Sequence, residues 1–400
     1  MIKSITNNQQ SLLRGLTAGL FALMLAVFAM PAQAQMDDGE LPKIDFSVNL
    51  MQGAQYLIVD QTGNDDPQTG FHAARAGLNS SVQFSENVYG LLMLEAEPND
   101  FAGIGAAGSL QPSVDFMILN LDVTDQLTIQ TGTPVTGLMN FRGFSDGPVV
   151  QGNPLIGNSV ADMITAGQGV KLIGSYGTFG FDVTVNRNFG ESITTGAGGN
   201  TGVNLIAKAR YTGAETFKIG GGIATATGAG VTDNGGPDDS PGSSDIIFAN
   251  GDRENYNVNG ATNTTATHAN IPAGFIGQVD GKVMVAGADI DAWLGYGTES
   301  DVYGGNDDAY TAIFGGLGLK YDLTEDFYAA GRVSYAGETS EAVSSVDNTS
   351  TTRFQLGVGY MVYDKALLKV EYVNQSEGDT RISQVGNNWQ GVSTELSFNF

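Results

Sequence analysis

The sequence predicts an all-β fold: a transmembrane antiparallel β-barrel of 16 strands, with short turns at one end and long loops at the other. Three observations predict it. Apolar and polar residues alternate in runs of about 8 to 12 residues, the length of a tilted strand crossing a bilayer. The connections between runs alternate short and long along the chain. Beyond residue 34 no apolar run is long enough for a membrane helix, and in lipid only helices and closed barrels satisfy every backbone group.

The first segment stands outside this pattern. Lys3 and Arg14 are the only charges in residues 1–34, and they precede LTAGLFALMLAVFAM (16–30). That run is shorter than the roughly 20 residues of a spanning helix. Ala32-Gln33-Ala34 follows as a small-residue cleavage box, so residues 1–34 read as a signal peptide and 35–400 as the barrel. Export then places the chain in the periplasm or beyond. With no Cys, it has no disulfide and no thiolate metal site. Once the leader is removed, 16 Lys and Arg remain against 43 Asp and Glu, a formal charge of −27. A chain this acidic does not bind nucleic acid by neutralising phosphates.

The runs follow in order at 43–58, 71–84, 88–97, 113–123, 127–133, 166–175, 179–188 and 202–212. They continue at 216–227, 273–285, 288–298, 310–321, 327–337, 352–362, 366–375 and 390–400. VDFMILNLDV, in the fourth, does not alternate cleanly. Tight turns fall near residues 86, 125, 177, 214, 287, 324 and 364. Long connections occupy 59–70, 98–112, 134–165, 189–201, 228–272, 299–309, 338–351 and 376–389. Outer-membrane barrels sort their connections this way, with short turns periplasmic and long loops outside. A soluble sandwich has hairpins too, but no reason to sort loops by length.

Parity assigns the faces. Phe179, Phe181, Val183 and Val185 share one face, against Asp182, Thr184 and Asn186. Phe354, Leu356, Val358, Tyr360 and Val362 oppose Arg353, Gln355, Gly357 and Gly359. The polar face carries Arg75, Lys171, Lys208, Arg210, Lys218, Lys282, Lys320, Arg332 and Arg353, with Glu95, Asp182, Asp280, Asp291, Glu371 and Glu395. On a water-filled lumen these charges stay hydrated, whereas in a packed interior each is costly unless paired. Aromatics sit at the strand ends, among them Phe84, Tyr89, Phe179, Phe217 and Tyr328 near the tight turns, and Tyr56, Phe71, Phe275 and Tyr296 near the loops. Two such bands mark the two interfaces of a bilayer.

The cleavable leader, the sixteen amphipathic runs, the sorted loops and the last residues ELSFNF together resemble a Gram-negative outer-membrane porin, of the 16-stranded general-diffusion or phosphate-selective-like kind. The resemblance covers the whole chain after the leader. It implies a bacterial outer-membrane location and a water-filled channel for small hydrophilic solutes and ions. It implies lipid and lipopolysaccharide as surroundings, a homotrimer, and no cofactor, metal or catalysis. Phe398 and Phe400 would face lipid and serve as the signal read by the barrel-assembly machinery.

The third long connection, 134–165, is unusually apolar for a surface loop, with Leu138, Met139, Phe141, Phe144, Leu155 and Ile156. Loops of this length are mostly functional or disordered, and this composition disfavours disorder. In the porins it resembles, this loop folds inward and narrows the pore. Arg142, Asp146 and Asp162 would then face the constriction, opposite the wall residues Arg75, Lys171, Lys208, Arg210, Lys218, Arg332 and Arg353. A loop packed on the rim or against another subunit has the same composition. Only Arg142 is basic in this loop, which departs from the phosphate-selective pattern. The fifth long connection, 228–272, is acidic and would enrich cations near the mouth within about 8 Å.

Other motifs carry less. GIGAAG (103–108) lacks the flanking strand and helix of a dinucleotide site. GNDD at 63–66 and 305–308 has carboxylates but not EF-hand spacing. His72 and His268 have no nearby acid and nucleophile in a recognisable order. The expected function is a passive diffusion channel. The alternatives are a substrate-specific anion or oligosaccharide channel, a nonconducting structural or adhesive barrel, and a barrel enzyme.

Overall fold

Alternating runs joined by tight turns pair with their sequence neighbours, and the sheet closes when the last strand meets the first. The computed structural model describes residues 42–60, 67–96, 113–141, 151–160, 164–166, 168–187, 203–227, 256, 275–299, 310–339, 350–378 and 388–400. It forms a closed antiparallel barrel of sixteen strands. These are β1 (Lys43–Val59), β2 (Gln68–Ser85), β3 (Val88–Ala96), β4 (Ser113–Thr124), β5 (Leu127–Gly132), β8 (Gly169–Tyr176), β9 (Phe179–Arg187) and β10 (Val203–Tyr211). The wall continues with β11 (Phe217–Thr227), β12 (Phe275–Val285), β13 (Ala288–Glu299), β14 (Tyr310–Asp322), β15 (Phe327–Glu338), β16 (Ser350–Tyr363), β17 (Ala366–Glu377) and β18 (Trp389–Asn399). Two three-residue strands, β6 (Val135–Gly137) and β7 (Ile164–Ala166), pair with each other apart from the wall.

The closing seam joins β1 to β18 in continuous register from Asn49↔Asn399 to Val59↔Trp389. Beyond it, Phe400 N–H donates to Val48 O at 2.9 Å and accepts at its own carbonyl from Val48 N–H at 3.1 Å. The Phe398 and Phe400 rings stack on the outer face, 6.0 Å apart and 4° from parallel.

Side chains alternate across the wall as parity requires. On β16, residues 351, 353, 355, 357 and 359 are buried, and residues 352, 354, 356, 358 and 360 are exposed. The outer face carries Leu294, Leu317, Val333, Leu356 and Val370, all exposed. Phe84, Phe179, Phe217 and Tyr363 are exposed near the tight turns, and Tyr56, Phe275 and Tyr296 near the long loops. Tyr328 departs from its expected band. It points inward and is 8 % exposed, because β15 places even-numbered residues on the inner face.

The inner face also departs from expectation. Arg75, Glu95, Arg332, Arg353, Glu371 and Glu395 face inward but are buried rather than hydrated. Some bury one another: Arg75 Nε lies 3.4 Å from Glu95, and Lys369 Nζ lies 2.9 Å from Glu395. Others are covered by chain folded into the barrel, and the bonds they make to it offset the loss of water.

β5 is only six residues long because the chain leaves the wall at Gly132. Its φ is +106°, and a Cβ there would lie 1.9 Å from Met117 O. Gly132→Ala therefore meets both strain and a backbone clash, and the barrel should lose at least about 1–3 kcal/mol. The check is denaturant unfolding followed by the loss of the fast-migrating folded form on unheated gels.

Candidate functional site

The segment that departs at Gly132 determines what the interior can do. Its exit is fixed by Thr133, whose N–H donates to Met117 O and whose Oγ1 accepts from Met117 N–H, both at 2.8 Å. The short β6–β7 ribbon then ties the two ends of the segment together through Val135↔Ala166 and Gly137↔Ile164.

After the ribbon, residues 138–141 lie against the inner faces of β10 to β12. Leu138 and Met139 are buried. Asp280 on β12 accepts from Asn140 N–H at 2.7 Å, Asn140 Nδ2 at 2.8 Å and Phe141 N–H at 3.2 Å. Lys208 Nζ donates to Met139 O at 3.4 Å. The close approach needs the glycines of β11. A Cβ at Gly220 would lie 2.6 Å from Asn140 Nδ2, and one at Gly222 would lie 3.0 Å from Leu138 Cδ2.

Residues 151–160 lie further round, against β15 to β18. At the short-turn end Gln151 Nε2 donates to Ser397 O at 3.1 Å and Lys365 O at 3.3 Å. Tyr328 Oη donates to Pro154 O at 3.1 Å, and Leu155 packs with Tyr328, Ala330 and Leu367. Lys369 Nζ donates to Leu155 O at 3.4 Å, and Glu371 accepts from Ile156 N–H at 2.5 Å. Gly157 O accepts from Arg332 Nη2 and from Gln355 Nε2. Nearer the long-loop end Arg353 Nη1 donates to Asn158 O at 2.9 Å, and Ser334 Oγ accepts from Val160 N–H at 3.1 Å.

The segment thus covers one side of the interior. From β4 to β11, apart from the strip beneath residues 138–140, the inward face stays partly open. Asp122, Thr128, Gln130, Lys171, Arg210 and Lys218 are all half-buried there. Thr128 Oγ1 donates to Asp122 at 2.6 Å and Gln130 Nε2 to Asn120 at 2.9 Å. Arg210 Nη1 and Lys208 Nζ lie 3.0 and 3.8 Å from Asp182. Beneath the segment, at the short-turn end, is a cavity of about 330 Å³ edged by Lys282, Asp289, Asp291, Lys320, Asp322 and Glu325. Lys282 pairs with Asp289 at 2.6 Å and Lys320 with Asp322 at 2.7 Å.

Of the residues selected from sequence, Lys171, Arg210 and Lys218 project from β8, β10 and β11 toward this partly open side, while Lys208 on β10 reaches the segment at Met139 O. Arg75, Arg332 and Arg353 project inward but sit beneath other groups. Arg142, Asp146 and Asp162 lie outside the described residues, as do 1–34, GIGAAG, both GNDD sequences and His268. Of the residues that seat the segment, sequence reasoning selected Arg332, Arg353 and Lys208 as wall charges; it placed Asp280, Glu371 and Gln355 on the polar face without a role, and gave no inward role to Ser334 or Tyr328. Their signal was inward parity in the middle of a strand, which Asp280 and Glu371 share with the charges that were selected.

No protein-family model and no curated protein matches the chain. Solved structures do. The outer membrane channel DcaP of Acinetobacter baumannii is 12% identical over 90% of this chain and 97% of its own, with a TM-score of 0.58. OmpT, an outer membrane protein of Vibrio cholerae in a trimer form, is 14% identical over 90% of this chain and 100% of its own, with a TM-score of 0.56. An anion-selective porin from Comamonas acidovorans is 10% identical over 90% and 100%, with a TM-score of 0.54. At these identities the likeness is one of fold: the chain has the closed barrel of outer-membrane porins.

Asp280 gathers three donors of the inward segment. Asp280→Ala should lower stability by at least about 1.5–3 kcal/mol, the usual worth of a hydrogen bond to a charged group. Asp280→Asn keeps an acceptor and should lose less. Urea unfolding in detergent measures the difference.

Proposed function

We propose that this protein is an outer-membrane porin, a passive channel for small hydrophilic solutes and ions, with no catalytic step. One observation carries the reading: a closed barrel, apolar outside, holds an inward segment bound to one side of its inner wall and leaves a polar face partly open on the other. A nonconducting adhesin has no use for a segment fixed across its interior by so many bonds. In this reading residues 134–165 form the constriction. Arg142, Asp146 and Asp162 face the passage, and Lys171, Lys208, Arg210 and Lys218 form its wall. Arg332 and Arg353 act on the covered side by holding segment carbonyls, and Arg75 acts on the wall through Glu95.

The leader 1–34 directs export, and Phe398 and Phe400 mark the final strand for the barrel-assembly machinery. The outer apolar face meets lipid and lipopolysaccharide. A homotrimer is supported by the seam. There Gln52 on β1, Thr394 on β18 and Ser80 on β2 face outward within the wall, in a belt otherwise rich in apolar side chains. Polar side chains at that height favour a protein neighbour over hydrocarbon.

A second reading is favoured by the half-open wall. Lys171, Arg210 and Lys218 share it with few carboxylates, and Lys218 sits directly across from Lys282. This arrangement favours anions despite the acidic chain. Planar-bilayer recording tests both readings. Discrete ion-passing steps are expected, and silence from folded protein would exclude the channel. Under a salt gradient the reversal potential should indicate anion preference and shift toward cations in Lys218→Glu; a cation-selective wild type rejects the second reading.

The membrane placement has its own check. Leu356 is exposed at the centre of β16 on the outer face. Leu356→Lys should destabilise the folded barrel by about 2–4 kcal/mol in bilayers, the cost of a cation at mid-depth.

A further inference from the structure

One residue of the fifth long connection sits deep inside the barrel. Tyr256 is 1 % exposed. It packs with Leu57, Val59, Val373 and Trp389, all on inner faces of β1, β17 and β18. Its ring lies 5.3 Å from that of Trp389. The Arg353 guanidinium lies over both rings, 5.4 Å from Tyr256 and 5.7 Å from Trp389. Tyr256 Oη donates to Glu371 and accepts from Gln355 Nε2 at 2.9 Å.

These partners are the ones that seat the inward segment. Glu371 also accepts from Ile156 N–H, Gln355 also donates to Gly157 O, and Arg353 also donates to Asn158 O. Gly157 touches the phenol directly: a Cβ there would lie 2.2 Å from Tyr256 Oη. The segment and a residue from a connection about a hundred positions later therefore sit side by side on the same wall groups, in direct contact at Gly157.

We propose that Tyr256 is a positioning residue that holds residues 155–158 of the inward segment on the wall, so that the width of the passage depends on a side chain from outside that segment. Tyr256 works by shape and by shared partners. The inner patch of Leu57, Val59, Val373 and Trp389 is an apolar seat inside a polar lumen, and the phenol ring covers it. The hydroxyl completes the shell of Glu371, so the carboxylate that holds Ile156 is shielded from water. Burial pushes the Tyr256 phenol well above its usual range, and the Glu371 carboxylate adds to the rise. The shift favours the neutral, donating phenol.

The inference rests on the channel reading for its consequence but not for its geometry, and two measurements separate them. The first is nitration of the folded wild-type protein in detergent with tetranitromethane, mapped by mass spectrometry. Nitration attacks the phenolate, so Tyr256 should react at least about tenfold more slowly than in the unfolded chain, as a site opening only rarely does. Tyr363, exposed at a tight turn, should react readily in the folded protein. Equal rates for Tyr256 in folded and unfolded protein overturn the proposal, whether or not the protein conducts. The second is single-channel recording of Tyr256→Ala, with folding checked by heat-modifiable mobility. Conductance should rise by about a fifth or more, with more frequent brief closures, since pore width governs passage. A folded Tyr256→Ala barrel with wild-type conductance overturns this positioning role. If that variant does not fold, the nitration result decides.

Discussion

A strand in the wall has its backbone donors and acceptors met by its neighbours. A segment crossing the interior has no such neighbours, and each buried peptide group without a partner is costly. The interior of this barrel is organised around that constraint. Carboxylates of Asp280 and Glu371 take the free N–H groups of Asn140, Phe141 and Ile156. Arg332, Arg353, Lys208 and Lys369 serve the carbonyls of Gly157, Asn158, Met139 and Leu155. Charges of both signs on one inner wall are thus a matched set of acceptors and donors for an inserted chain.

The same matching explains how these charges tolerate burial. A lone guanidinium such as Arg353 would be expensive to remove from water. Here it meets the Gln375 and Asn158 oxygens and two aromatic faces, each replacing part of its hydration. Lys369 is held between Glu395 and a segment carbonyl. On the β8–β11 side nothing covers the wall to the same extent, and Lys171, Arg210 and Lys218 keep contact with solvent. Coverage divides one ring of inward residues into a structural half and a half facing water.

The wall was legible in the sequence because period-two alternation and tight turns fix both the strands and their register. Differences are confined to the ends. The run expected from 71 starts at Gln68, and the one expected from 166 starts at Gly169. The second difference has a cause: Ile164–Ala166 has strand character but pairs with Val135–Gly137 away from the wall, and alternation cannot say which partner a strand takes. The interior was less legible, because parity assigns a face but not what lies against it. Inward Arg332 and inward Lys218 have the same signature, yet one is enclosed and the other is not. A signal was nevertheless present at Leu57, Val59, Val373 and Trp389. These apolar residues fall on the parity otherwise used for polar groups, and an apolar patch facing a wet lumen needs a cover.

The β1–β18 seam bears on how the molecule is made. Ser393 Oγ bonds Ala54 O across 339 positions of chain, while most other wall strands pair with the strand next in sequence. Hairpins form cheaply because their ends are already near, whereas joining the two outermost strands demands the largest loss of chain freedom and comes late. Until then the nascent sheet carries two raw edges, each a template for a stranger's strand. A cylinder that ends with no edge at all must therefore pass through the stage most exposed to mispairing just before completion, and a chaperoned route to that last step follows from the topology itself.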